Sequence, residues 1–416
     1  MQAFTGLTAA SGEGHVPAQI AIRAEPGQRN DQPAIREAPG KTPTIPPSHN
    51  AFTCLKLQYP ARPSGSNNET SPCASNSEDL MTAFASPRGA WRAFIFALAF
   101  AAGTAQGSLL FGAVGLANDQ YARPVADTEI ASTAVLANCR GFVGTIARIV
   151  LLDGSIRCNE AFPYGFASPI STSVYYPADI AASDAKLPVI TFVGGILSNA
   201  GNYHELMKLW ASHGFIVVIS SDFINSFPLM HALGILEVAK LDRDPGSALH
   251  DRADFSRTLV AGHSAGGQAT LQSASLSAQA LQLIEPRLKL VGALPIEPGP
   301  LAIGSTVKTP TLLLTGLADV VVPPLSWPIL WQGPLIRDVP AWGATATTAT
   351  HFSPLRQIEY NEFAGISVAW ALYQGKNDAQ ARDYFVGRYY KLASDIQFND
   401  PLRLLRPSRN KLAAAL

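Results

Sequence analysis

The stretch Thr258-Leu259-Val260-Ala261-Gly262-His263-Ser264-Ala265-Gly266-Gly267 decides the fold of this chain. An apolar run typical of a strand meets a turn of small residues with one serine at its apex, and a segment compatible with a helix follows. The turn matches the pattern G-x-S-x-G, in which the serine lies on a strained turn between a strand and a helix. Glycines two residues either side of the serine let the backbone pass closely. We therefore predict a nucleophilic Ser264; the alternative is a tight structural turn.

Apolar strands alternate with amphipathic helices on both sides of this turn. Predicted strands cover 173–177, 189–193, 215–219, 257–261, 288–294 and 311–315, with a weaker one at 345–350; predicted helices cover 202–213, 228–241, 265–283 and 362–373. Such alternation implies parallel strands, right-handed crossovers and a sheet covered on both faces. The pattern predicts an α/β-hydrolase fold with a mostly parallel central sheet and helices on both faces.

The predicted catalytic domain spans 161–416, and three segments of different character precede it. Residues 1–80 are dominated in their second part by Pro, Gly, Ser, Asn and Gln and show no sustained apolar periodicity, so we predict a disordered extension. This extension is either a mis-assigned start or a dispensable leader. Residues 81–117 are a predicted signal peptide or signal anchor. Residues 118–160 form the third segment. Their short apolar runs, separated by glycines at 133–158, predict a hairpin at the sheet edge.

An export signal is predicted from Met81 onward. Arg88 and Arg92 precede an uncharged run at 93–117, and small residues offer one cleavage position at Gly103 and Ala105 and a second at Gly115 and Ala117. The alternatives are a membrane anchor formed by 93–117 and a buried apolar segment. We expect a protein that is secreted or periplasmic, or else anchored in the membrane and facing outside.

Two of the four cysteines, Cys139 and Cys158, lie beyond this signal. In an oxidising compartment they would form a disulfide that contributes about 3 kcal/mol by loop-entropy models. The alternative is a pair of buried free thiols.

A serine hydroxyl needs a histidine base, which in turn needs a carboxylate to hold it. His351 is the only histidine that follows Ser264, which makes it the predicted base. His263 adjoins the serine, so its side chain is expected to point away. Asp319 follows a predicted strand and a glycine turn, whereas the competing Asp338 follows no strand. The predicted triad is therefore Ser264, His351 and Asp319, in the order that this fold uses.

Two backbone amides are needed to bind a developing oxyanion. One is predicted at Ala265, directly after the nucleophile, and the other at Ile196 in the loop after the strand 189–193, with Gly195 as the alternative. The connection between Asp319 and His351 contains Trp327, Trp331, Trp342 and five prolines. This composition predicts either an apolar rim over the cleft, in which Trp327 contacts the substrate, or a well-packed surface loop.

Charge and motifs argue against several other classes of protein. The chain has 31 basic and 31 acidic residues and no basic stripe interleaved with aromatics, so a nucleic-acid partner is not expected. We find no HExxH, CxxC, P-loop or GxGxxG motif, and we predict neither a metal nor a cofactor.

The chain resembles the bacterial cutinase and polyester-hydrolase family over roughly residues 161–374. The resemblance is carried by Tyr175-Tyr176-Pro177, by the stretches 188–196, 211–218, 254–257 and 262–267, and by the surroundings of Asp319 and His351. Chlorophyllase-like and platelet-activating-factor acetylhydrolase-like esterases share several of these motifs. The resemblance implies cofactor-free hydrolysis of carboxylic esters outside the cytoplasm, with Ser264, Asp319 and His351 as triad and the amides of Ile196 and Ala265 as oxyanion donors.

The chain departs from that family in the residues that line the cleft. The family carries an aromatic residue where Ile196 stands, methionine where Ala265 stands, and a tryptophan where the chain reads Ile296-Glu297-Pro298. These departures imply a cleft that stacks less well on an aromatic acid, with Gly195, Ile196, Ala265 and Trp327 as predicted substrate contacts.

We accordingly expect a monomeric serine esterase or lipase-like hydrolase that acts on a small-molecule or lipid-like ester. The alternatives are a non-catalytic binding protein of the same fold and an acyltransferase that uses the same triad.

Overall fold

A nine-stranded sheet runs through the computed structural model, which describes residues 116–132, 136–138, 157–159, 170–222, 224–399 and 405–416. Its strands lie in the order β1 Thr128–Ser132, β4 Ser171–Pro177, β6 Ile216–Ser221, β5 Leu187–Val193, β7 Ala253–His263, β8 Leu290–Ile296, β9 Thr311–Gly316, β10 Ala341–Ala346 and β11 Ser408–Arg409. Neighbours from β6 to β10 pair in parallel, whereas β1, β4 and β11 add antiparallel edges. The predicted mostly parallel α/β architecture is confirmed.

The described helices are α1 Leu116–Tyr121, α2 His204–Ser212, α3 Leu229–Arg243, α4 Ala265–Ser273, α5 Ala278–Ile284, α6 Ala364–Lys376, α7 Ala379–Phe385 and α8 Lys411–Ala414. Short 3₁₀ turns and one π-helical turn, Pro328–Gln332, occupy connections between them.

Strands β5, β6 and β7 are buried on both faces. Along β6 the side chains alternate between two cores: Val217 and Ile219 pack with α2 and α6, and Ile216 and Val218 pack with α3. This burial explains why these strands read as continuous apolar runs in the sequence.

Three details differ from the sequence predictions. The helix predicted over 265–283 is two helices, because Ser277 caps the start of α5 by accepting the amide hydrogen of Ala280. The weak strand predicted at 345–350 lies earlier, at Ala341–Ala346. The strands β2 Leu136–Asn138 and β3 Arg157–Asn159 pair antiparallel in a sheet of their own rather than at the edge of the main sheet, where β1 lies instead.

Parts of the predictions for the N-terminal half fall outside the described residues. These are the extension 1–80, the signal segment up to residue 115, and Cys139, so the signal and the Cys139–Cys158 disulfide stay predictions. No helix in the described ranges combines the length and the apolar character that crossing a membrane requires.

Helix α1 is part of the folded unit, although the predicted signal segment ends within it at Ala117. The amide hydrogen of Ala117 is donated to Oδ2 of the fully buried Asp395 at 3.0 Å, and Tyr384 donates its hydroxyl hydrogen to the same oxygen. Asn118 bonds to the backbone of Asn361 and Gly365. Together with β1, this helix extends the fold to the N-terminal side of residue 161.

We predict that Asp395→Ala lowers the free energy of unfolding by about 3 kcal/mol, because a buried hydroxyl and a buried amide lose their acceptor. Urea denaturation followed by circular dichroism measures the change. Asp383→Ala, at an exposed position of α7, is the matched control and should change stability by less than about 0.5 kcal/mol. Equal effects of the two substitutions would contradict the role of Asp395.

Buried His231 bridges the sheet to α4. Its Nδ1 lies 3.3 Å from the Thr191 hydroxyl and its Nε2 3.2 Å from the Thr270 hydroxyl. Burial lowers the pKa of His231 from 6.5 to about 3, so the ring is neutral in the folded protein. Below pH 6.5 the unfolded chain binds a proton at this residue that the folded chain does not bind, and stability is therefore lost as the pH falls.

From pH 7 to pH 5.5 this residue should remove about 1.2 kcal/mol from the free energy of unfolding. The His231→Gln side chain keeps a donor and an acceptor but does not titrate. Between pH 7 and pH 5.5 its free energy of unfolding should therefore fall by about 1.2 kcal/mol less than that of the native chain. Urea denaturation of both proteins at the two pH values tests this, and parallel losses in the two would contradict it.

Candidate active site

The turn around Ser264 is built by close backbone contacts. Ser264 has a φ of 56°, between the end of β7 at His263 and the start of α4 at Ala265. A Cβ on Gly262 would lie 2.3 Å from the carbonyl oxygen of Gly266, and one on Gly266 would lie 1.9 Å from that of Val193. Neither glycine has a positive φ, so both are required for space rather than for backbone freedom. The strain falls on Ser264 itself.

Ser264, His351 and Asp319 lie within hydrogen-bond distance of one another. The Ser264 Oγ is 2.9 Å from His351 Nε2, and His351 Nδ1 is 2.8 Å from Asp319 Oδ2. All three residues are at least 92 % buried. The structure therefore brings the predicted triad together, whereas the competitor Asp338 is exposed.

The sheet order positions the acid and the base. Asp319 follows the carboxyl end of β9 and His351 follows that of β10, its parallel neighbour. The two loops are tied where the amide hydrogens of Leu317 and Ala318 are donated to the carbonyls of Ala346 and Ala349. The amides of Val321 and Val322 hold the other oxygen of Asp319, each at 2.8 Å.

The amides of Ile196 and Ala265 are available to a ligand, because among the described residues no acceptor takes their hydrogens. The alternative donor, Gly195, is unsuitable, since its N–H is donated to the Tyr203 hydroxyl at 2.8 Å. A Cβ on Gly195 would lie 3.3 Å from Ser264 Cβ, which shows how close this loop lies to the nucleophile.

Asn225, which the sequence analysis missed, holds that loop in place. Its buried side-chain amide donates to the carbonyls of Gly195 at 2.8 Å and of Ser198 at 3.1 Å, and its Oδ1 accepts from the amide of Asp222. A single asparagine in a loop carries no spacing signal, so only its position in the fold identifies it. The residue fixes the shape of the turn that presents the Ile196 amide.

His263 does not point away from the site, contrary to the sequence prediction. Its ring centroid lies 4.7 Å from that of His351, and its nitrogens lie 2.8 Å from the Tyr203 hydroxyl and 3.2 Å from Glu297 Oε2. Burial and then the neighbouring His351 hold the pKa of His263 well below its usual range. Burial and then the charge of Asp319 raise the pKa of Glu297 well above its usual range.

Atoms of His263, Glu297 and His351 lie within 4.8 Å of one another, as metal ligands do. Hydrogen bonds already account for this cluster, because His263 Nε2 faces Glu297 and His351 Nδ1 faces Asp319.

Hydrogen bonds tie the connection between Asp319 and β10 to the loop that follows β8. Trp327 and Trp331 donate their indole hydrogens to the carbonyls of Pro298 and Pro300, and Gln332 donates to Gly299, so this segment packs on the loop after β8. Trp342 does not belong to it: the residue is buried on β10 against Trp370 and Phe385.

Large apolar side chains remain exposed at the carboxyl edge of the sheet. They come from the loops after β5, β6, β8 and β9 and from the first residue of α3, and they are Ile196, Leu197, Phe227, Leu229, Leu301, Ile303, Val320, Val321, Leu325, Ile329, Leu330 and Trp331. Between 317 and 336 the only charged residue is the buried Asp319. The surroundings of Ser264 are therefore suited to apolar groups.

Several known proteins are similar to this chain in sequence. A family model described as "PET hydrolase-like" matches residues 159–398, more than half of the chain. Cutinase 2 of Thermobifida cellulosilytica and cutinase cut1 of Thermobifida fusca are each 29 % identical over 203 residues, which cover 48 % of this chain. The bis(hydroxyethyl) terephthalate hydrolase of Streptomyces coelicolor is 28 % identical over 200 residues.

The match spans 71 % of the first of these relatives, 58 % of the second and 60 % of the third.

We predict that Asn225→Ala lowers kcat toward 4-nitrophenyl butyrate about tenfold or more, because the loop that presents the Ile196 amide loses its anchor. Ser226→Ala, which removes only a local contact to the carbonyl of Ile224, is the control and should stay within twofold of the native rate. A native kcat in Asn225→Ala would contradict the assignment.

Proposed function

The chain belongs to the PET hydrolase-like family, and from this premise we propose that it hydrolyses carboxylic esters through an acyl-serine intermediate. The observation that carries the proposal is the unbroken hydrogen-bond path from Ser264 through His351 to Asp319 at 2.9 and 2.8 Å. The cutinase relatives support the same class of substrate.

In the first half-reaction His351 Nε2 takes the proton of the Ser264 hydroxyl while Oγ bonds to the ester carbonyl carbon. Asp319 holds the hydrogen on Nδ1, which leaves Nε2 free to accept, and its charge stabilises the imidazolium that forms. The amides of Ile196 and Ala265 donate to the carbonyl oxygen as it becomes negative. His351 then gives its proton to the alcohol oxygen, the bond from carbon to that oxygen breaks, and the acyl group stays on Ser264.

In the second half-reaction His351 takes a proton from water, whose oxygen bonds to the acyl carbon. The bond to Ser264 breaks, its oxygen recovers the proton from His351, and the carboxylic acid leaves. Every proton moves between Ser264, His351, water and the substrate.

The apolar side chains around the opening favour esters with an apolar acyl or alcohol part. Ile196 is 55 % exposed beside the nucleophile, and Leu301 and Leu330 are exposed on loops that follow β8 and β9. The buried Ile296 and Glu297 present no aromatic ring to the cleft. We therefore propose that aliphatic esters are preferred over esters of aromatic acids.

Ser264→Ala should reduce kcat/KM toward 4-nitrophenyl butyrate by at least about a thousandfold and abolish labelling by a fluorophosphonate probe. His250→Ala, at an exposed histidine of a distant loop, is the control and should keep the native rate. A native protein that binds the ester without releasing nitrophenol would instead indicate a binding protein. Formation of a new ester from added alcohol in preference to acid would indicate acyl transfer.

A further inference from the structure

Glu297 is an unusual residue for its position. It directly follows β8, it is fully buried, and its φ of 46° lies in the left-handed region that few residues other than glycine adopt. Its Oε1 forms no hydrogen bond of ordinary geometry to a described residue, although the Asp319 carboxylate lies next to the same carboxyl group. A strained backbone and a buried, half-satisfied carboxyl group are both costly, and such features concentrate at functional sites.

This carboxyl group lies beside the base of the triad. Glu297 Oε2 is 3.7 Å from His351 Nδ1, the atom that Asp319 holds at 2.8 Å. Strands β8 and β9 are parallel neighbours, so the acid after each strand reaches the same imidazole nitrogen from adjacent positions. At 3.7 Å the second carboxyl group forms no hydrogen bond to His351 while Asp319 is present.

Hydrogen-bond partners define the protonation of the neighbouring groups. Tyr203 accepts from the amide of Gly195, so it donates its own hydrogen to His263 Nδ1. The neutral His263 therefore carries its hydrogen on Nε2 and donates it to Glu297 Oε2. Burial, and after it the neighbouring charge of Asp319, holds the pKa of Glu297 well above its usual range, so Glu297 stays neutral.

We propose that Glu297 is a second acid of this catalytic centre, a positioning residue that takes over the orientation of His351 when Asp319 does not carry the charge. The inference rests on the proposed ester hydrolysis at Ser264. In Asp319→Asn the negative charge next to Glu297 is gone, Glu297 ionises more readily, and its Oε2 accepts the Nδ1 hydrogen of His351. The charged and titratable groups that face Glu297 in that variant are Tyr203, His263, His351 and Glu362.

The test compares kcat/KM toward 4-nitrophenyl butyrate for Asp319→Asn, Glu297→Gln and the double variant between pH 6 and pH 9. We expect the factor by which Glu297→Gln lowers kcat/KM to be at least ten times larger in the Asp319→Asn variant than in the native protein. We also expect the rate of Asp319→Asn to rise with pH as Glu297 ionises, and the double variant to lack that rise. An equal factor in both backgrounds, or the same pH profile with and without Glu297, would overturn the proposal.

Glu359→Gln, an exposed acid, is the control and should add no loss to Asp319→Asn. If the Glu297 variants do not fold, ¹⁵N NMR of Asp319→Asn alone decides the question. A hydrogen on His351 Nδ1 is expected if Glu297 accepts it, and a hydrogen on Nε2 would refute the inference. Ester hydrolysis by the native protein, and its loss in Ser264→Ala, tests the proposed function separately. The role of Glu297 can therefore be refuted while the proposed function stands.

Discussion

The contact between Gly266 and the carbonyl of Val193 is the constraint on which the rest of the site depends. It brings the start of α4 against the end of β5. Ser264 there has a positive φ, and a Cβ added to Gly195 in the loop after β5 would lie only 3.3 Å from the Cβ of Ser264. Any side chain at residue 266 would separate these two elements. The separation would move the Ile196 amide away from the Ala265 amide and disperse the oxyanion site.

The polar groups behind Ser264 form two hydrogen-bonded networks in the buried interior. One runs from Ser264 through His351 to Asp319, and the other from Gly195 through Tyr203 and His263 to Glu297. Hydrogen bonds are stronger in such surroundings, and unpaired groups are more costly. The second chain joins the oxyanion loop to the carboxyl group beside the base, so the shape of the loop and the protonation of the acids depend on each other.

The surface around the opening distinguishes this protein from the family pattern that its sequence resembles. Ile196 and Ala265 stand where an aromatic residue and a methionine are expected, and a buried glutamate stands in the stretch expected to carry a tryptophan. Exposed apolar side chains instead lie on loops at the carboxyl edge of the sheet, the edge at which Ser264 lies.

The order of strands and helices, the elbow at Ser264, and the pairing of Asp319 with a lone downstream His351 were all predictable from the sequence, because period, glycine spacing and chain order are local or countable properties. The burial of Trp342 and the place of β1 were not, since they depend on packing between distant segments. The break between α4 and α5 depends instead on the local cap that Ser277 forms with the amide of Ala280. Asn225, Tyr203, His263 and Glu297 carry no motif as a group. Only the tertiary structure decided their roles, because parallel neighbours in the sheet bring their loops to one edge and burial then forces their polar atoms to pair.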